Sequence, residues 1–201
     1  MPGLIDYYFA PISGYAYLGH RALIALAADL GARVRYHPLV IGQIFAASGT
    51  TPPFAQSAPR KSYRIADQAR WAAHYDLPIT AVPRHWPTDP VLACKVILAA
   101  GQIGVDQDAT SFACLAATWA HERDIADPDQ LRDVLQQAGL PAQALLQAAA
   151  APGIAEALAQ ETEAAIAAQI FGSPSYVVAG ERFWGQDRLP FLRAALTRQA
   201  A

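Results

Sequence analysis

The sequence predicts an α/β fold with a large all-helical insertion, on three observations. Residues 4–39 read as strand, helix, strand; a long Ala-rich stretch then carries helical periodicity; and residues 175–201 return to strand, strand, helix. No repeat or low-complexity linker divides the 201 residues, so they are expected to form a single domain, 1–201, with the helical insertion at about 42–165.

The opening run Leu4-Ile5-Asp6-Tyr7-Tyr8-Phe9 is aromatic and apolar, which suits a strand. Over residues 15–30, Leu18, Ala22, Leu23, Leu26 and Leu30 recur at helical spacing, and Gly31 stands where a left-handed helix end is expected. Residues 33–39 alternate in type around Pro38, as a second strand does. Residues 42–59, rich in Gly, Thr, Pro and Ser, read as an ordered loop or hinge. Helices are expected over 60–75, 91–103 and 110–121. Asp127-Pro128, an N-cap followed by proline at the first helical position, opens another over 129–138; Pro141 repeats the device, and a further helix covers 154–169. Residues 175–178 and 181–184 flank Ala179-Gly180 as a hairpin, and Asp187 is the expected N-cap of the last helix.

Composition excludes several classes. The chain is 53% apolar and 16% charged with a formal net charge of −2, so it carries no field to attract nucleic acid or an anionic membrane surface. No apolar run reaches the ~20 residues of a membrane span, and Met1 leads straight into the first strand, so the expected location is the cytoplasm. Cys94 and Cys114 sit on separate helical stretches, and the five histidines form no His-x-x-x-His pair. Buried thiols and no metal site are therefore expected.

The junction after the first strand carries the chemistry. Ser13 stands at the mouth of a helix, whose first N–H groups lack partners and favour an anion such as a thiolate. A Cys-x-x-Cys redox turn would place sulfur here, but Ser13-Gly14-Tyr15-Ala16 has none. Any sulfur has to come from outside. In Phe171-Gly172-Ser173-Pro174, a proline opens a strand whose ladder it cannot join. A cis bond at Pro174 would turn the N–H and C=O of Ser173 towards an extended peptide; a trans proline on an edge strand is the alternative.

These segments, with Phe183-Trp184-Gly185-Gln186-Asp187-Arg188-Leu189, Arg70-Trp71-Ala72 and Arg123-Asp124-Ile125-Ala126-Asp127, resemble the 2-hydroxychromene-2-carboxylate isomerases over nearly the whole chain. That family has a thioredoxin-like fold of the DsbA and kappa-class glutathione transferase type. The resemblance implies a homodimeric, glutathione-dependent isomerase of aromatic catabolism, in which a thiolate adds reversibly to a chromene and permits ring opening to trans-o-hydroxybenzylidenepyruvate. Glutathione would be the cofactor and a small aromatic molecule the substrate. Ser13 is then the catalytic candidate, its hydroxyl stabilising the thiolate; a serine that only caps the helix is the alternative. The implied glutathione contacts are the helix mouth at Gly14 and Tyr15, Ser173 and Pro174 against the cysteinyl backbone, Asp187 and Gln186 at the γ-glutamyl end, and Thr50 and Arg60 at the glycyl end. For Asp187 and Arg60, a plain N-cap and a solvated helix-start charge are equal alternatives.

The chain departs from the family pattern where Gly14 replaces the usual proline and Ala16 a common serine, and the expected asparagine is absent from residues 82–89. Trp86, Trp119 and Tyr15 would either wall the substrate or belong to the core. A kappa-like transferase and a redox-inactive thioredoxin-like binding protein are the competing readings. A disulfide oxidoreductase is disfavoured because neither Ser13 nor Ala16 can form a mixed disulfide.

Overall fold

Alternation along the first strand organises the molecule. In the computed structural model, which describes residues 3–200, β1 (Leu4–Phe9) sends Ile5, Tyr7 and Phe9 into one buried cluster and Tyr8 into another on the opposite face. It pairs in parallel with β2 (Arg33–Pro38) and antiparallel with β3 (Ser175–Val178), which pairs antiparallel with β4 (Glu181–Trp184), giving the order β2-β1-β3-β4. Tyr7 lies opposite both Tyr36 and Tyr176 and stacks on Phe9 and Tyr176, at centroid distances of 4.4 and 5.5 Å. The middle of the sheet is therefore an aromatic layer.

The parallel β1–β2 pair needs a crossover, which α1 (Gly14–Asp29) supplies. Leu18, Leu23 and Leu26 are buried in the main core, and Leu30 ends the helix before Gly31 at φ +60°. Residues 42–59 are not simply a loop. Ile41–Ser48 forms α2, a short helix that buries Ile41 and Ile44 and stops at Gly49 in the left-handed region, and Pro53–Ala55 is a 3-10 turn. No side chain caps the start of α2, and the helix exists because its apolar face packs with Tyr8, Leu39, Ala165 and Ile170.

The helical block continues through α3 (Ala58–Tyr75), α4 (Val91–Gln102), α5 (Gln107–Trp119), α6 (Pro128–Gln137), α7 (Ala142–Ala149) and α8 (Pro152–Ala167). Asp127 caps α6, accepting from the N–H groups of Asp129 and Gln130. Cys94 and Cys114 are fully buried free thiols on α4 and α5. Among the described residues, no helix is long and apolar enough to cross a membrane.

At the end of the chain, one open alternative is decided and one expectation is overturned. β3 is interior to the sheet, and the Ser173–Pro174 bond before it is cis, so the trans, edge-strand alternative is excluded. Asp187 is not the N-cap of the last helix. It lies inside a 3-10 turn, Gln186–Arg188, which leads into α9 (Leu189–Ala200).

Candidate active site

Ser13 is the N-cap of α1. Its Oγ accepts from the Ala16 N–H at 3.2 Å and donates to the Ser173 carbonyl at 3.1 Å, tying the helix mouth to the cis-proline turn. Ser173 answers from its own side chain, its Oγ accepting from the Ala10 N–H at 2.9 Å. Intrahelical bonding begins with Tyr17, whose N–H reaches the Ser13 carbonyl, so Gly14 and Tyr15 hold the first N–H groups of α1 left free to meet an anion. The indole N–H groups of Trp86 and Trp119 both donate to the Ile12 carbonyl, at 3.1 and 3.2 Å, which fixes the backbone just before Ser13.

Two adjoining cavities open at this turn. The first, about 310 Å³, has walls formed by Val40, Phe45, Pro53, Phe54 and Trp86, and Ser13, Gly14, Tyr15 and Ser173 lie at its edge. The second, about 760 Å³, is lined by Thr50, Arg60, Tyr63, Gly172 and Trp184, and it shares Tyr15, Phe45, Pro53, Arg64 and Ser173 with the first. Ser13, Gly14, Tyr15, Thr50, Arg60 and Ser173 thus converge on one double-chambered cleft, with Pro174 buried directly behind Ser173. Tyr15 donates its hydroxyl to Asp67 at 2.8 Å; burial, together with that carboxylate, pushes its phenol far above the ordinary range and keeps it protonated. Thr50 Oγ1 sits 3.4 Å from the Phe171 carbonyl and 2.8 Å from Ser48 Oγ.

Gln186 and Asp187 line neither chamber. Gln186 is 2% exposed, its amide oxygen accepts from the Tyr75 hydroxyl at 3.0 Å, and its Cβ packs against Gly19, where no side chain would fit. Its place is a joint between α1 and the 3-10 turn. Asp187 is exposed, 3.2 Å from Arg188. Trp119 is wholly buried in the core, whereas Trp86 and Tyr15 face the cleft.

Arg64 and Gln68 were not singled out from the sequence, yet both line the apolar chamber. The signal was present in the spacing. Arg60, Arg64, Gln68 and Ala72 follow one another every fourth residue of α3, and this single stripe runs from exposed at Arg60 to buried at Gln68 and Ala72. Among the described residues, no group of three or more His, Cys, Asp or Glu side chains is placed to hold a metal ion.

The model of the DSBA-like thioredoxin domain matches residues 4–197. The chain belongs to that family. Within it, the chain is 32% identical to a 2-hydroxychromene-2-carboxylate isomerase of Sphingobium xenophagum, over 98% of this chain and 99% of the relative. It is 26% identical to the human glutathione S-transferase kappa 1, over 96% and 90%. A solved 2-hydroxychromene-2-carboxylate isomerase superposes with a TM-score of 0.85 at 24% identity, over 98% and 96% of the two chains, and so shares the fold. These matches cover 90% or more of each relative, so the shared span includes the helical block as well as the sheet.

Proposed function

We propose that the protein is a glutathione-dependent isomerase of 2-hydroxychromene-2-carboxylate or a close aromatic relative. One observation carries the reading: a serine hydroxyl and the free N–H groups of α1 meet at the tip of a helix, facing the cis-proline turn, where the fold of redox relatives would hold a cysteine. Similarity to a curated isomerase over the full chain supports the reaction class, and similarity to a kappa transferase supports the tripeptide.

The donor set fits glutathione. Ser173 offers a backbone edge beside the cleft, Gly14 and Tyr15 offer N–H groups for a negative sulfur, and Thr50 and Arg60 offer a hydroxyl and a cation for the glycyl carboxylate. Bound there, glutathione would supply a thiolate that adds reversibly to the chromene and is recovered unchanged. Ser13 has one hydroxyl proton, now given to the Ser173 carbonyl. Turning about its Cβ–Oγ bond would redirect that proton to sulfur, while a peptide N–H takes over the Ser173 carbonyl. Phe45, Phe54 and Trp86 would exclude water from the reacting ring.

The test is turnover of 2-hydroxychromene-2-carboxylate with sub-stoichiometric glutathione. Isomerisation leaves the thiol titre unchanged; a fall in free thiol equal to substrate consumed would instead assign the protein to conjugation, the activity of its kappa relatives. In Ser13→Ala, kcat should fall roughly 10- to 100-fold with glutathione affinity nearly unchanged, because the lost hydroxyl acts on sulfur and not on the peptide ends. An unaltered kcat would remove Ser13 from the mechanism.

A further inference from the structure

Helix α3 brings to the apolar chamber two polar groups that the reaction described above does not use. Gln68 is 2% exposed, and neither its amide nitrogen nor its amide oxygen has a hydrogen-bond partner among the described residues. Arg64 Nε is likewise buried and unpartnered, and Arg64 enters no ion pair among the described residues. Buried polar groups are paired in nearly all folds, and an unpaired amide in an apolar wall is costly unless a ligand completes it. The two are one helical turn apart on the same face of α3, and both line the chamber that Phe45, Phe54 and Trp86 enclose.

Arg64 is also held in position. Its guanidinium lies 4.3 Å above the Trp86 ring and 5.9 Å from that of Trp119, so one face is covered by indole while the N–H groups spread in the plane. Burial presses the Arg64 pKa downward, which is the mark of a cation lacking a counter-charge. A planar fork of donors beside flat aromatic walls matches a carboxylate carried on an aromatic ring.

We propose that Arg64 and Gln68 select the occupant of this chamber, Arg64 pairing with the carboxylate of a planar aromatic acid and the Gln68 amide bonding a hydroxyl, ether or carbonyl oxygen beside it. What the acid is then converted into rests on the isomerase reading; its recognition does not. Arg64 also borders the second chamber, which makes a tripeptide carboxylate the rival partner, but Gln68 borders only the apolar one. The shared face of Arg64 and Gln68 places the site on the aromatic side.

The experiment is a set of titrations of the whole protein, followed by calorimetry, with 1-hydroxy-2-naphthoate, its neutral carboxamide, 2-naphthoate and glutathione. The wild-type protein should bind 1-hydroxy-2-naphthoate at least about tenfold more tightly than the carboxamide, and more tightly than 2-naphthoate. Arg64→Met should erase the preference for acid over amide and Arg64→Lys should retain part of it, while Gln68→Leu should erase the preference for the hydroxylated acid alone. Glutathione affinity should be unchanged in all three. Equal binding of acid and amide by the wild-type protein, which needs no variant to be folded, would overturn the proposal. So would a loss in Arg64→Met that falls on glutathione and spares the acid. Acid recognition as described, in a protein that fails to isomerise the chromene with glutathione, would uphold this site and remove the isomerase reading.

Discussion

Gly14 shows how one missing Cβ shapes the site. A Cβ at this position would collide with the Gln68 amide nitrogen and approach the Trp119 ring to 3.0 Å, so glycine at the first position of α1 is what lets Gln68 lie against the helix mouth. The family that the chain resembles usually has proline here, and that departure is now tied to a second residue, Gln68, on a different helix far along the chain but adjacent in space. Gly14→Ala should destabilise the fold by about 1–3 kcal/mol through overpacking. Gln68→Ala in the same chain should recover part of that loss, because the amide is the movable half of the collision while the Trp119 ring, tied to Ile12, is the rigid half. Urea melts of the two single variants and the double variant measure the coupling. A coupling below about 0.5 kcal/mol would show that Gly14 and Gln68 do not share this space.

Elements are held together where the alternation of β1 and β2 brings charges to one face. Asp6 on β1 contacts Arg35 and His37 on β2, at 2.5 and 2.9 Å, and His37 reaches Glu161 on α8 at 2.5 Å while stacking on Tyr8. A neutral imidazole has one N–H, but both ring nitrogens of His37 face carboxylates, so this geometry needs the imidazolium. Burial opposes that charge, yet the hydrogen bonds of Glu161 and Asp6 outweigh it and hold the His37 pKa above 6.5. For Asp6, burial is outweighed by the bonds from Arg35 and His37, and the pKa falls below 3.8. A raised histidine contributes fully below 6.5 and fades as pH rises through its folded value; a lowered aspartate contributes fully above 3.8 and fades as pH falls. The clamp is therefore strongest between these two limits. His37→Leu should cost on the order of 2 kcal/mol in that window and clearly less near pH ~9. A stability gap independent of pH would refute the charged clamp. None of this was visible in the pattern of residues 33–39, because a clamp depends on α8 arriving 124 positions later in the chain. The same is true of α2, whose start lacks a capping residue and whose apolar face is explained only by the residues that cover it.

At the scale of the molecule, the β-α-β opening, the β-β-α close and the serine at the helix tip were legible because each rests on local pattern: alternation, helical spacing and an N-cap residue. Gln68 and Gln186 were not, since whether a buried amide meets a partner, as Gln186 meets Tyr75, or faces a cavity, as Gln68 does, is decided by distant segments. The placement of sulfur gives a test of the whole arrangement. The protein's own two thiols are sequestered: Cys94 and Cys114 are fully buried, burial drives the Cys94 pKa well up, and that of Cys114 rises to about 12. Neither is a nucleophile in the folded state. The helix tip is the opposite environment, half-exposed and lined by the unpaired N–H groups of α1. Native wild-type protein should therefore not react with a chromogenic disulfide such as Ellman's reagent until it is unfolded, when two thiols per chain appear. Ser13→Cys should add one thiol that reacts at once in the native fold, with a pH profile centred below the ordinary ~8.5 of a free cysteine. A profile centred at or above that value would mean that the tip of α1 does not stabilise negative sulfur, and rapid reaction of the wild-type protein would mean that its own thiols are not sealed away.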